Sequence, residues 1–139
     1  MKTKVNITEK VKTFEDACEV LGLNPESLPI VENLSKKDSK NIIAYYKLII
    51  IIRALNEGWE PDFQNWNERK YWNWFYIASD GAAAGFAYAS TYFAQPDSPA
   101  LVGSRLCFKT RELAVYAHEQ FRDLYFECLF TNMPKNYKK

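Results

Sequence analysis

Few residues in this chain do chemistry by themselves, so their spacing carries the reading. There is one histidine, His118. On a helix flank beside Phe121 and Tyr125, such a residue packs more often than it catalyses, and no cysteine is paired with it by sequence. No G-x-S-x-G, H-E-x-x-H or P-loop occurs. Gly81 to Gly85 is bounded by glycines but lacks the Lys-Ser/Thr pair that holds phosphate and magnesium. The three cysteines, Cys18, Cys107 and Cys128, are odd in number and show no C-x-x-C spacing, which argues against a zinc site and a disulfide framework. Each lies in an apolar pattern and reads as a small packed hydrophobe in a reducing compartment. The Glu15-Asp16 pair sits in the first turn of a helix, where the dipole accounts for it. A two-carboxylate glycosidase draws on acids distant in sequence, but candidate acids near the aromatic region are few. The expectation is a protein that is not an enzyme, with no catalytic residue, metal or cofactor.

The aromatic run is the feature above background. Trp59, Phe63, Trp66, Tyr71, Trp72, Trp74, Phe75 and Tyr76 are interleaved with Gln64, Asn65, Asn67, Arg69 and Lys70. Flat rings beside amide and cationic donors suit stacking on sugars or bases, and protein interfaces also concentrate Trp, Tyr and Arg. The plainer alternative is that the rings cover both faces of a small sheet and a central helix. Alternation separates Trp72, Trp74 and Tyr76 from Tyr71 and Phe75, and only one of these faces can meet the helices. Further on, Leu106 and Phe108 point inward by pattern, which leaves Arg105, Cys107 and Lys109 on the opposite face. Arg105 is then placed to stack on a ring of the neighbouring strand. The candidate binding residues are Trp66, Trp72, Trp74, Tyr76, Arg105 and Lys109.

These residues need elements to position them. Phe14, Ala17, Cys18 and Leu21 recur at helical spacing over 14–21, with Thr13 as N-cap, Asp16 completing a capping-box pattern and Gly22 as the stop. A second helix spans 40–56, with Ser35 or Ser39 as cap and Gly58 at its end. Its apolar stripe runs nearly all round, which marks a central helix covered on more than one side. A strand at 48–52 is the competing reading of the isoleucine run, but the helical pattern continues on both sides. Residues 59–70 read as loop. Strands follow at 71–79, 85–94 and 104–109, with breaks at Asp80-Gly81 and at Gln95-Pro96-Asp97-Ser98-Pro99. Thr110 caps a last helix over 111–130. The fold class is α+β: a three-stranded antiparallel sheet with the second and last helices packed on one face.

At 139 residues, 47% hydrophobic, the chain suits a single domain, 1–139, with a sizeable core. A net charge of +1 predicts no strong steering toward nucleic acid or anionic membrane. Lysines gather in both tails, whereas residues 14–33 carry only the acids Glu15, Asp16, Glu19, Glu26 and Glu32. The bland account is two basic tails and a solvated acidic helix; the sharper one is a docking stripe. The N-terminus lacks the apolar stretch of a signal peptide, and Leu48 to Ile52 is too short to span a bilayer. The expected location is the cytoplasm of a host cell, with virion association as a variant.

Two stretches carry a family resemblance. They are Ala54-Leu55-Asn56-Glu57-Gly58-Trp59-Glu60-Pro61-Asp62 and Val102 through Ala114, the second followed by Tyr116-Ala117 and Gln120-Phe121. Together they resemble a family of small uncharacterised proteins encoded by phages, prophages and other mobile elements of gut Bacteroidetes. The resemblance covers about Phe14 to Leu129 and implies genomic context rather than chemistry: virion assembly, nucleic-acid handling or a host-directed accessory role. The functional expectation is a non-enzymatic binding protein whose ligand is another protein, self-association being the simplest form. The alternative is nucleic-acid binding by a β-sheet with aromatic and basic residues, with Arg69, Lys70, Arg105, Lys109 and the lysine tails meeting phosphates.

Overall fold

A computed structural model describes residues 4–78, 85–94 and 103–129. The 80–84 connection, the 95–99 break, the end of the last helix at 130 and the tail beyond it lie outside the described residues. Along the chain come α1 (Ile7–Lys10), α2 (Phe14–Leu21), α3 (Lys36–Leu55), β1 (Lys70–Ala78), β2 (Gly85–Ala94), a 3-10 turn (Ser104–Leu106), α4 (Arg111–Gln120) and α5 (Arg122–Leu129). Regular structure among the described residues is mostly helical.

The helices start and stop for local reasons. Thr13 Oγ1 accepts from the Asp16 amide at 3.1 Å, and the Asp16 carboxylate accepts from the Thr13 amide at 3.1 Å, which closes the capping box. Gly22 ends α2 in the left-handed region at φ 69°. Ser35, rather than Ser39, caps α3 by accepting from the Asp38 amide, so this helix begins earlier than the 40–56 span. Leu48, Ile50, Ile51, Ile52, Ala54 and Leu55 are buried, and α3 packs against both α2 and α5. A helix covered on two sides needs apolar residues all round, which is why the isoleucine run forms no strand. The last helix is divided at Phe121, which leaves helical geometry at φ −116°, ψ 32°. Hydrogen bonds from Phe121 N–H to Ala117 O and from Tyr125 N–H to Phe121 O still cross the division.

The three-stranded antiparallel sheet that alternation predicts does not form. β1 and β2 pair as an antiparallel ribbon, with a bulge opposite Trp74/Phe75. Residues 104–109 supply no third strand. Gly103, at φ 67° and ψ −177°, turns the chain into the 3-10 turn through a region open essentially to glycine. Thr110 already caps α4 by accepting from the Leu113 amide. The short stretch between them makes one bridge: Phe108 N–H donates to Tyr71 O at 2.7 Å and Tyr71 N–H to Phe108 O at 3.1 Å. The packing expectation changes too. α4 lies against both strands, while α3 packs against α2, α5 and the 3-10 turn.

On its other side the 107–109 segment meets a side chain in place of a strand. Buried Asn56, the C-cap of α3, donates from Nδ2 to Cys107 O at 2.9 Å and accepts at Oδ1 from the Lys109 amide at 3.1 Å. The amide thus satisfies the two backbone groups that the bridge to Tyr71 leaves over. Asn73 does similar work on β1, donating to Ala114 O at 2.8 Å and to the Tyr125 hydroxyl at 3.2 Å. Substituting Asn56→Ala strands a carbonyl and an amide at about 1–3 kcal/mol each. We expect urea denaturation to show a loss of about 2–6 kcal/mol; a loss below about 0.5 kcal/mol would show that the segment is held by packing alone.

Candidate functional site

A cleft of about 510 Å³ opens where the last turns of α3, the loop after it and the 3-10 turn converge. Ile49, Ile52, Trp59, Pro61 and Phe63 give it apolar walls, and Arg53, Glu60 and Arg105 give it charge. That volume lies in the range of ligand-binding clefts. Each wall has its own support. Arg53 is the basic residue in the last turn of α3, where it complements the helix dipole. Arg105 is exposed on the 3-10 turn. Neither guanidinium has an ion pair or hydrogen bond among the described residues.

The loop wall is fixed by a buried cation. Lys70, only 1% exposed, places its ammonium 3.2 Å from the Glu68 carboxylate, 3.0 Å from Glu68 O and 3.4 Å from Asn65 O. It also lies 5.5 Å from the centroid of the Phe63 ring. The Glu68 carboxylate accepts in turn from the Asp62 amide at 2.8 Å and from Trp59 Nε1 at 3.2 Å. Asp62 and Asn65 close Asx turns onto the amides of Gln64 and Asn67. Burial pushes the Glu68 carboxyl up, but the hydrogen bonds from Asp62, Lys70 and Trp59 and the charge of Lys70 outweigh it, and the group ends below its ordinary range.

Of the predicted site residues, Trp66, Trp72, Arg105 and Lys109 have described side chains. Trp66 stands on this loop, 70% exposed. Arg105 lines the cleft. Trp72 is half-buried on β1, where Tyr71 and Phe75 supply the rings packed on the core. Trp74 and Tyr76 take their places in β1 opposite Ser90 and Ala87, and their side chains lie outside what the structure describes. Lys109 is held by Glu57 at 3.2 Å. The expected Arg105–Cys107–Lys109 face is absent, because Cys107 and Phe108, adjacent in sequence, are both buried between Asn56 and β1. A guanidinium that does lie over a β1 ring is that of Arg111, 5.9 Å from the Tyr71 centroid. Arg53 escaped the sequence reading; its one signal was a cation beside an otherwise apolar helical run.

Other chemistry-bearing groups do not line the cleft, although Cys107 lies directly behind its Asn56 wall. Burial lowers the pKa of His118, with Glu119 raising it and Arg122 lowering it further. Burial pushes the Cys107 thiol up to about 11 against the opposing charge of Lys70, and the Cys128 thiol up to about 11. Among the described residues no cluster of His, Cys, Asp and Glu could hold a metal ion, and no helix is long and apolar enough to cross a membrane. No family model matches the chain, and neither a curated protein nor a solved structure matches it.

The Glu68 network makes the loop acid-sensitive. A carboxyl lowered in the fold contributes stability that is present above its unfolded pKa and lost as pH falls through the folded one. In wild type, tryptophan fluorescence should therefore report loosening of the loop below the ordinary carboxylate range. Glu68→Gln should show the loosened signal already at neutral pH and flatten this part of the titration. Identical acid profiles for the two proteins would exclude Glu68 as the group responsible.

Proposed function

We propose that the protein is a non-enzymatic binding module that receives another protein on the 59–68 loop and the cleft beside it. The observation that carries this is Trp66, 70% exposed, with Phe63, 42% exposed, on one loop that the Glu68–Lys70 pair pins. Large exposed rings on a fixed support are the composition of an interface hot spot. Arg53 and Arg105, unpaired among the described residues, add a residue type enriched there beside Trp and Tyr. The resemblance to proteins of phages and mobile elements supports a role in virion assembly or a host-directed accessory role, in the host cytoplasm or on the virion.

Nucleic-acid binding is the second reading. Arg53 and Arg105, without acidic partners among the described residues, favour it. Against it, Lys70 and Lys109, two of its candidate phosphate contacts, are already engaged by Glu68 and Glu57. Binding to a labelled oligonucleotide that weakens steeply with salt would support it over the protein reading.

The protein reading is tested with the full chain as bait in host lysate. A retained protein is purified and its affinity measured against wild type and Trp66→Ala. The expected loss for the variant is about 2 kcal/mol or more, roughly 30-fold in Kd, with an unchanged melting temperature. If Trp66→Ala retains the same proteins with the same affinity, the loop is not the binding surface.

A further inference from the structure

Resting on the binding-module reading, we infer that one occupant of the Arg53–Arg105 cleft is the 26–34 loop of a second copy of this chain. Two surfaces of the molecule complement each other. The cleft presents two guanidiniums against the single carboxylate of Glu60, over walls of Trp59, Phe63, Ile49 and Pro61. The loop between α2 and α3 presents Ile30, 90% exposed, with Leu23 and Leu34 also exposed. Glu26 and Glu32 flank Ile30, both exposed, and no lysine or arginine occurs in 14–34. A protruding aliphatic side chain with a carboxylate two residues away matches an apolar cleft rimmed by guanidiniums. Arg binds carboxylate in a bidentate fork, which gives the contact direction as well as charge.

The two surfaces lie at opposite ends of α3. The loop is tied to the start of that helix by the Ser39 hydroxyl, which donates to Val31 O at 3.1 Å. The cleft is built from Ile49, Ile52, Arg53 and Asn56. At 1.5 Å per residue the two are separated by about 15–25 Å along the axis. A molecule therefore cannot fill its own cleft with its own loop. The contact is heterologous, cleft of one copy to loop of the next, and such contacts chain on unless their rotation closes a ring.

Sedimentation velocity of the full chain tests this with two variants. Arg105→Glu spoils the cleft and leaves the loop; Ile30→Asp spoils the loop and leaves the cleft. Wild type should gain mass with concentration at low salt and lose it at high salt. Each variant alone should associate at least about tenfold more weakly, with an unchanged melting temperature. Mixed, the variants should form a one-to-one dimer that grows no further, because each contributes its one intact surface. Strictly monomeric wild type overturns the inference, as does a mixture that stays monomeric or a variant that associates like wild type. Monomeric wild type that still binds a Trp66-dependent partner overturns the second-copy contact alone and leaves the binding-module reading standing. A single-stranded oligonucleotide that binds wild type, fails on Arg105→Glu and meets no self-association assigns the cleft to nucleic acid instead.

Discussion

The ammonium of Lys70 sits at the head of β1 with almost no access to water, and the surrounding structure is arranged to compensate it. An unpaired buried cation costs about 3–5 kcal/mol, so its partners are not optional. Glu68 supplies charge, and the carbonyls of Asn65 and Glu68 supply the remaining acceptors. Once placed, the Glu68 carboxylate has lone pairs to spare, and these draw in the Asp62 amide and the Trp59 indole. A loop of polar and aromatic residues with no regular structure acquires one shape this way. The same lysine opens β1, so the loop's position is locked to the strand whose next residue, Tyr71, bridges to Phe108.

From that bridge the order passes to the end of α3. Phe108 gives its backbone groups to Tyr71, while Cys107 and Lys109 give theirs to the Asn56 side chain. The extended segment is held between a strand and a helix cap, and the buried thiol of Cys107 closes back on Gly103 O at 3.1 Å. Glu57, at φ 50°, directs its carboxylate to Lys109, which brings the turn after α3 and the start of α4 together. Arg53 and Arg105, distant in sequence, reach the same cleft because Asn56 fixes the 3-10 turn against the last turn of α3.

Local patterns carried much of this. The Thr13–Asp16 box, the period of α2 and α3, and the alternation of β1 and β2 are written within short windows, and the elements follow them. The segment at 104–109 shows the limit of such windows. Leu106 and Phe108 satisfy a two-residue period, yet so short a run cannot report that one flank will be occupied by an asparagine side chain rather than a strand. Lys70 reads as a surface cation for the same reason: nothing beside it announces that Phe63 and Asn65 fold over it. Lys109 reads as free because Glu57, its partner, is far away in sequence. Which cations remain at the surface is decided by how a loop folds over Lys70, whose partners Glu68 and Asn65 are close in sequence, and by long-range pairing for Lys109; a single sequence displays neither outcome.

That selection shapes what the protein can recognise. Charges engaged within the fold have no reach left for a partner, so the net charge overstates neither sign but conceals where the unengaged groups lie. Arg53 and Arg105 remain at one end of α3, and the carboxylates of Glu26 and Glu32 lie exposed toward the other. Binding also costs the ordering of whatever side chains meet the partner. Phe63 and Trp59 have their surroundings fixed in advance by Lys70 and Glu68, so the cleft walls lose little freedom on contact. Arg53 and Arg105 are exposed at the rim and make no ion pair or hydrogen bond among the described residues, so they would be available to an arriving carboxylate or phosphate. Under the proposed binding role, an apolar wall with exposed guanidiniums at its rim would select first by shape and then by charge, so that a nearly neutral protein would not need long-range steering.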